Sequence, residues 1–126
     1  MSKSNENNTH VVSVPVGTQA ASIELPGHYV HKAAILKRMA LINQAVLAAD
    51  NTNYLQVQLL SAPSGTVLAE IDTRAANEGA LAKNVAKLAP ELNVSIPAGS
   101  SLAVNVVKNG TGVPTLAVLE LEMHSL

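Results

Sequence analysis

Two histidines, His28 and His31, have the H-x-x-H spacing that can hold a metal ion when both lie on one face of a helix. No third ligand is evident beside them, and His10 and His124 stand apart near the two ends of the chain. Surface histidines without a ligand role are the common case. The sequence therefore predicts neither a metal site nor a cofactor.

Acidic residues occur in two pairs, Glu70 with Asp72 and Glu120 with Glu122. Paired carboxylates can perform acid–base catalysis. Residues two apart share one face of a strand, and here that face lies opposite an apolar set, which predicts solvated carboxylates. The chain has no cysteine and no G-x-S-x-G motif for a nucleophile. We therefore predict that it is not an enzyme and has no catalytic residue.

The stretch KNGTG raises the question of a phosphate-binding loop. Lys108 precedes Gly110 and Gly112, whereas the lysine of a Walker loop follows its last glycine and opens a helix. The residues after this stretch, TLAVLELEM, alternate as a strand does and offer no helix N-terminus for an anion. The stretch is therefore predicted to connect two strands, with Asn109–Gly110 supplying turn geometry.

Composition narrows the class of protein. The 126 residues are 48% hydrophobic and 13% charged, with a net charge of −1, so a nucleic-acid partner is not expected. With no Phe or Trp and two tyrosines, the chain lacks the aromatic faces on which sugars and single-stranded nucleic acids stack. The polar first residues do not resemble a signal peptide, and Lys32, Lys37 and Arg38 interrupt the best apolar run. We expect one domain, made in the cytoplasm and without a membrane partner.

Alternation of apolar and polar residues dominates the rest of the chain. Segments such as VVSVPV, SIELP, NYLQVQLL, TVLAEID and ELNVSI repeat every second residue and are separated by proline and glycine, as in the hairpin loop APSG. Many short strands at regular spacing predict an all-β fold, a β-sandwich of jelly-roll type. The predicted core consists of Leu55, Val57, Leu92, Val94, Ile96, Leu102, Val104, Leu119 and Leu121.

Two segments do not follow this pattern. Residues 29–50 contain Ile35, Met39, Ile42 and Val46 at helical spacing, but the surrounding strands favour β structure over a helix there. Residues 79–90 fit a short helix or a loop that crosses the sandwich equally well.

The first ten residues, 1–10, are polar and are predicted to form an extended arm, with residues 11–126 forming the sandwich domain. The arm is too polar to bury itself, so we expect it to bind a neighbouring molecule and to become ordered in doing so. The strand that follows could add to a neighbouring sheet by edge pairing. The predicted partner-binding residues of the arm are Lys3, Asn5, Glu6, Asn7, Asn8 and Thr9.

Four apolar residues fall on the face opposite the predicted core, namely Leu60, Val107, Leu116 and Val118. Apolar residues on that face need a cover, which predicts a homo-oligomer, with a trimer as the expected form.

The segments NTNYLQVQLLSAPSGTVLAEIDT and IPAGSSLAVNVVKNGTGVPTLAVLELEM resemble the small head-decoration (cement) proteins of tailed bacteriophages. The resemblance is one of pattern and covers about two-thirds of the chain. It implies a jelly-roll or related β-sandwich on the exterior of an assembled virion, often trimeric, with the major capsid protein as partner. A competing prediction is a β-sandwich of a phage head or tail fibre that binds a host-surface glycan.

Overall fold

A computed structural model describes residues 9–18, 22–62, 64–75, 79–110 and 116–126. Within these residues the chain forms nine β-strands and no α-helix. In chain order the strands are β1 (Thr9–Thr18), β2 (Ile23–Tyr29), β3 (Ala34–Asn43), β4 (Tyr54–Ala62), β5 (Thr66–Asp72), β6 (Lys87–Leu88), β7 (Val94–Ile96), β8 (Ser101–Asn109) and β9 (Leu116–Ser125). The described part of the chain has no helix long and apolar enough to cross a bilayer.

The strands form two antiparallel sheets. Sheet I has the order β1-β9-β3-β6, with β7 also paired to β3, and sheet II has the order β2-β8-β4-β5. The first strand pairs with the last, the second with the next to last, the third with β6 and β7, and the fourth with the fifth. The paired strands are therefore nested along the sequence. A nested arrangement in which β9 also pairs with β3, and β8 with β4, is the jelly roll. The predicted all-β sandwich is confirmed.

The core lies between the sheets and is built almost entirely of aliphatic side chains. Strand alternation places every second residue inward, and burying one Leu or Val side chain contributes roughly 1.5–3 kcal/mol. Seven of the nine predicted core residues are buried. The other two, Leu92 and Val94, are half-buried and pack against the core from the edge of sheet I.

A β-bulge in β5 changes which residues face the core. Leu59 pairs with Ala69 but Leu60 pairs with Val67, so Leu68 has no partner in the register. Leu68 packs against the core beside Ala69, and Val67 is turned to the outer surface, where it is exposed. The alternation of TVLAEID would place Val67 on the same side as Ala69 and Ile71, and that reading is wrong for Val67 because the bulge inserts one residue into the alternation.

The two segments that broke the pattern differ in the amount of regular structure they contain. Residues 29–50 contain β3, which confirms the preference for a strand over a helix. Residues 79–90 contain β6 and a single bridge between Leu81 and Leu47, so this segment is mostly a loop along the edge of the sandwich. Tertiary pairing outweighs helix propensity in both places.

The glycine connections are structural. Gly65 closes the β4–β5 hairpin with a φ of 78° and donates its N–H to the Ser61 carbonyl at 2.7 Å. Gly110 follows β8 with a φ of 80°. A side chain there would collide with Thr52 and Asn53. Because β8 and β9 belong to different sheets, the KNGTG stretch starts a crossing between sheets, and residues 111–115 lie outside the described residues.

Candidate functional site

The predicted arm residues Lys3, Asn5, Glu6, Asn7 and Asn8 lie outside the described residues. Thr9 is the first residue of β1, so the last two residues of the predicted arm, Thr9 and His10, belong to a strand. Thr9 is exposed, and its Oγ1 lies 3.3 Å from Nε2 of His124 in the neighbouring strand β9. This contact places the base of the arm at the outer surface of sheet I.

The outer surface of sheet I, called here the sheet I face, carries apolar side chains that the chain itself leaves uncovered. Val11 on the edge strand is 61% exposed and Leu88 on the opposite edge is 59% exposed. Strand register places half-buried aliphatic residues between these two edges. The apolar residues of the sheet I face are Val11, Pro15, Ile35, Ala40, Ile42, Leu88, Leu116 and Val118.

Charged and polar side chains form a row across one end of the sheet I face. The Arg38 Nε lies 3.7 Å from Glu122 Oε1, and the other carboxylate oxygen of Glu122 lies 3.3 Å from His124 Nε2. Ser13 donates a hydrogen bond to Glu120 in the next row of the sheet. The Arg38 side chain is 72% exposed, so most of its guanidinium remains open to solvent.

A groove lies beside this row, between β3 and the segment that connects β6 to β7. Its volume is about 640 Å³, and its lining consists of residues 37–39 and 88–93 with Glu122 and His124. The segment is attached to β3 by two backbone hydrogen bonds, from Ala89 to the Met39 carbonyl and from Leu92 to the Lys37 carbonyl. Lys37 lies in a β-bulge and its Nζ donates to Asn93 Oδ1 at 2.9 Å. The groove has both cationic and carboxylate groups beside the exposed Leu88.

The outer surface of sheet II, called the sheet II face, covers itself to a greater degree. Asn105 donates to Gln58 Oε1 at 3.0 Å, and Gln56 donates to Glu70 in the adjacent pair of strands. Register places Pro26, Ala103, Leu60 and Val67 in one apolar row across all four strands. Leu60 is only 6% exposed and Ala103 is also buried.

The four apolar residues predicted to need a cover are therefore distributed over two surfaces. Leu116 and Val118 belong to the sheet I face, whereas Val107 and Leu60 belong to the sheet II face. Val107 is half-buried, and the prediction that Leu60 needs a partner molecule is wrong because the chain already buries it. Only the sheet I pair can belong to one common interface together with Val11.

The histidines that could have bound a metal lie at the β1–β2 edge of the sandwich. His28 occupies an inward position opposite Leu102, and His31 follows the end of β2, with its ring 4.6 Å from Tyr29 in an edge-on arrangement. Burial lowers the pKa of His28, and electrostatic repulsion from the neighbouring His10 and His31 lowers it further. Among the described residues no three His, Cys, Asp or Glu side chains group as metal ligands do.

One of the acidic pairs is not solvated as predicted. Asp72 is buried at the end of β5, where it accepts hydrogen bonds from the Arg74 backbone N–H at 3.1 Å and from its guanidinium at 2.9 Å. This pairing raises the pKa of Arg74. The Arg74 guanidinium also lies 5.4 Å from the centre of the Tyr54 ring. The prediction that Asp72 is solvated is wrong, because Asp72 is buried and Arg74, two residues further along the chain, pairs with its carboxylate.

Comparisons with known proteins give only distant structural neighbours. No protein-family model and no curated protein matches the sequence. The structure of infectious bursal disease virus Gx strain is similar over 92% of this chain and 33% of that chain, with 12% identity and a TM-score of 0.33. The Gt strain structure covers 94% and 32%, with 11% identity and a TM-score of 0.34. The VP2 subviral particle of that virus covers 94% and 33%, with 11% identity and a TM-score of 0.31.

These neighbours are viral capsid proteins, and this chain spans about a third of their length. At such TM-scores the superpositions do not carry a conclusion about function. The assignment of the jelly roll rests on the strand order of this chain.

Sequence reasoning does not find the groove, because the groove is formed largely by residues 29–50 and 79–90, the two segments whose pattern is not that of a regular strand. One signal was present, since Lys37 and Arg38 are adjacent charges that interrupt the alternation of AILKRMALIN. Two adjacent polar residues in a strand are typical of a bulge, which moves one of them out of the pleat. The pairing of Lys37 with Asn93, which is 56 residues away, has no local signal.

Proposed function

We propose that this chain is a non-enzymatic structural protein of a virion, which decorates and stabilises the outer surface of a phage capsid. It is made in the host cytoplasm, and its main partner is the major capsid protein. Copies of the chain associate on the shell, with the trimer as the expected form. The sheet I face and the arm residues 1–8 are the surfaces by which it attaches.

One observation carries this proposal: uncovered apolar side chains and the base of the arm lie on the same face of a closed jelly roll. Val11 is exposed two residues after Thr9, and both residues point away from the core in β1. An apolar face that a chain does not cover itself is typical of a surface that another protein covers. A face and an arm that start from one edge can both contact neighbouring molecules on a shell.

The arm is suited to attachment rather than to folding. Its only charged side chains are Lys3 and Glu6, and it offers the amides of Asn5, Asn7 and Asn8 as hydrogen-bonding groups. Among the described residues, the buried core cluster begins at Val14 in β1. Binding would order the arm and contribute affinity through backbone and amide hydrogen bonds, net of the ordering cost.

The deciding experiment measures how much protein sediments with phage particles that lack it, and where labelled protein lies on those particles. The full chain is expected on the particle exterior at saturating occupancy. Deleting residues 2–9 is expected to lower occupancy while the melting temperature changes little. Full occupancy by the shortened chain would show that the arm is not an attachment, and absence of the full chain from every particle tested would overturn the proposal.

A matched pair of valines tests the face itself. Val11 lies on an edge strand of the sheet I face and Val67 on an edge strand of the sheet II face, and both are exposed. Val11→Gln and Val67→Gln change no charge, and each should alter stability by less than about 0.5 kcal/mol. We expect Val11→Gln to weaken binding to particles and Val67→Gln to leave it unchanged. Equal weakening by both variants would contradict the assignment of the face.

The glycan-binding alternative makes a different prediction in the same assays. Of the two tyrosines, Tyr54 lies beside Arg74 and Tyr29 is exposed with its ring against His31. Binding on a glycan array that is lost in Tyr29→Ala, together with no binding to particles, would favour that alternative over decoration.

A further inference from the structure

We infer that the groove beside β3 receives the N-terminal arm of a second copy of this chain. The groove is the one defined above, lined by residues 37–39, 88–93, Glu122 and His124. The inference deepens the proposed function and rests on it in one respect, namely that copies of the chain lie side by side on a shell. It gives residues 1–8 of one copy a binding site, which is the groove of another copy.

The base of the arm adjoins the groove. Thr9 Oγ1 lies 3.3 Å from Nε2 of His124, and His124 lines the groove. Register places Thr9, His124 and Ile35 side by side on β1, β9 and β3. Since neighbouring strands lie about 4.8 Å apart, the arm leaves the sheet roughly 10 Å from β3.

The direction of β1 favours a groove on another copy. Both β1 and β3 run antiparallel to β9, so β1 and β3 are parallel. The groove residues Lys37 and Arg38 follow Ile35 in β3, so the line of β1, prolonged backward beyond Thr9, points away from the groove of the same copy. An arm entering its own groove would have to reverse its course at once. Eight extended residues span about 26–29 Å, so the arm can extend well beyond the edge of its own sheet without a reversal.

The charges of the groove match those of the arm. The Arg38 side chain is mostly open to solvent, and its contact with Glu122 is long, at 3.7 Å. The guanidinium can therefore pair with a second carboxylate, such as that of Glu6. Glu91 is exposed at the groove and is available to Lys3. The side-chain amide of Asn93 lies among these groups and matches the asparagines of the arm. A donor arm and an acceptor groove are different surfaces, so the contact is head-to-tail, and it forms a ring such as the expected trimer where the rotation between copies closes.

Crosslinking between two single-cysteine variants tests the inference, since the natural chain has no cysteine. One full-length variant carries Ser4→Cys in the arm, and the other carries Pro90→Cys at the exposed edge of the groove. The two are mixed at high concentration, and also on particles, and treated with a short bis-maleimide. We expect a product of twice the 13.0 kDa chain mass that contains one copy of each variant. Replacing Pro90→Cys by Lys83→Cys, which is exposed outside the groove, should abolish that product.

Charge reversal sharpens the test. Arg38→Glu in the groove variant is expected to lower the yield of the mixed product by about five-fold, and Glu6→Lys in the arm variant should restore it. Lys83→Glu makes the same change in net charge outside the groove and should have no effect. The inference would be overturned if no mixed product formed in solution or on particles. It would also be overturned if a chain carrying both Ser4→Cys and Pro90→Cys crosslinked only within itself. Mixed product from a chain that does not bind particles would instead count against the proposed function alone.

Discussion

Val11 and Val67 occupy equivalent places on opposite surfaces, and their surroundings differ. Val67 belongs to a row in which Leu60 and Ala103 are already buried, beside amide side chains that bond to one another across strands. Val11 pairs with Glu122, beyond which lie the exposed Arg38 and an open groove. The sheet II face pairs its amide side chains and buries Leu60 and Ala103, although Val67 stays exposed at its edge, whereas the sheet I face leaves both apolar and charged groups available to a partner.

The difference follows from how the edges of the two sheets are built. In sheet II the edge strand β5 has seven residues and pairs closely with β4. In sheet I the edge beyond β3 consists of two short strands, β6 and β7, joined by an irregular segment. A continuous edge strand supplies side chains to every row of its face, and an interrupted one leaves a groove.

The largest expected effect comes from comparing an inward-facing and an outward-facing residue of the same strand, β9. Leu121→Ala removes a fully buried side chain and should lower the free energy of unfolding by about 2–5 kcal/mol. Val118→Ala, three residues earlier on the sheet I face, should cost less than about 1 kcal/mol. Denaturant unfolding of both variants checks this. Similar losses would mean that the sheet I face is covered within the chain.

A second comparison contrasts the two outer surfaces directly. Leu60→Ala on the sheet II face should cost about 2 kcal/mol, because the side chain is buried. Leu116→Ala on the sheet I face should cost less than about 0.5 kcal/mol, because that leucine is exposed. Thermal unfolding measures both. If Leu116→Ala proves to be the more destabilising change, the contrast between the surfaces is wrong.

The polar part of the sheet II face should contribute a smaller amount. Asn105→Ala removes the donor to Gln58 and leaves the glutamine partly exposed to water, so we expect a loss of about 1 kcal/mol. Gln58→Ala combined with Asn105→Ala should cost less than the sum of the two single changes, since both remove the same bond. Additive losses in chemical denaturation would show that the pair does not act as a unit.

The smallest effect is a pH dependence at the β1–β2 edge, where the two sheets meet. The folded state lowers the pKa of His28 below its ordinary value of about 6.5, so the unfolded chain takes up the proton first as the pH falls. The stability that depends on neutral His28 is fully present above the ordinary pKa of about 6.5, and it is lost as the pH falls from there through the lowered pKa. His28→Gln should therefore flatten the fall in melting temperature between about pH 7 and about pH 5. An unchanged slope in the variant would remove His28 as its cause.

Much of the fold could be predicted from local patterns. The apolar sets of β4, β7, β8 and β9 are legible in the sequence because alternation depends only on neighbouring residues. The errors concern residues at bulges and strand ends. Val67 is outside because Leu68 is an extra residue in β5, and Asp72 is buried at the end of β5, where Arg74 pairs with it.

The candidate site could be predicted only in part. The polar residues before the first strand predict the arm, and the apolar residues opposite the core predict outer surfaces that another molecule covers. The sequence did not show that Leu116 and Val118 lie on one surface and Leu60 and Val107 on the other. Membership of a sheet is set by pairings such as Val12 with Leu121, which are more than 100 residues apart.

The sequence by itself determined that this protein is a sandwich of aliphatic strands, with a polar segment before the first strand. Composition and the period of two are sufficient for that, because a strand with one apolar face must bury it against another. Only the tertiary structure decided that the groove exists and that it adjoins Thr9. Lys37, Asn93, Glu122 and His124 come together through a bulge in β3 and through the pairing of distant strands. Adjacent charges in the sequence indicate the bulge, but no local pattern indicates which distant strands pair.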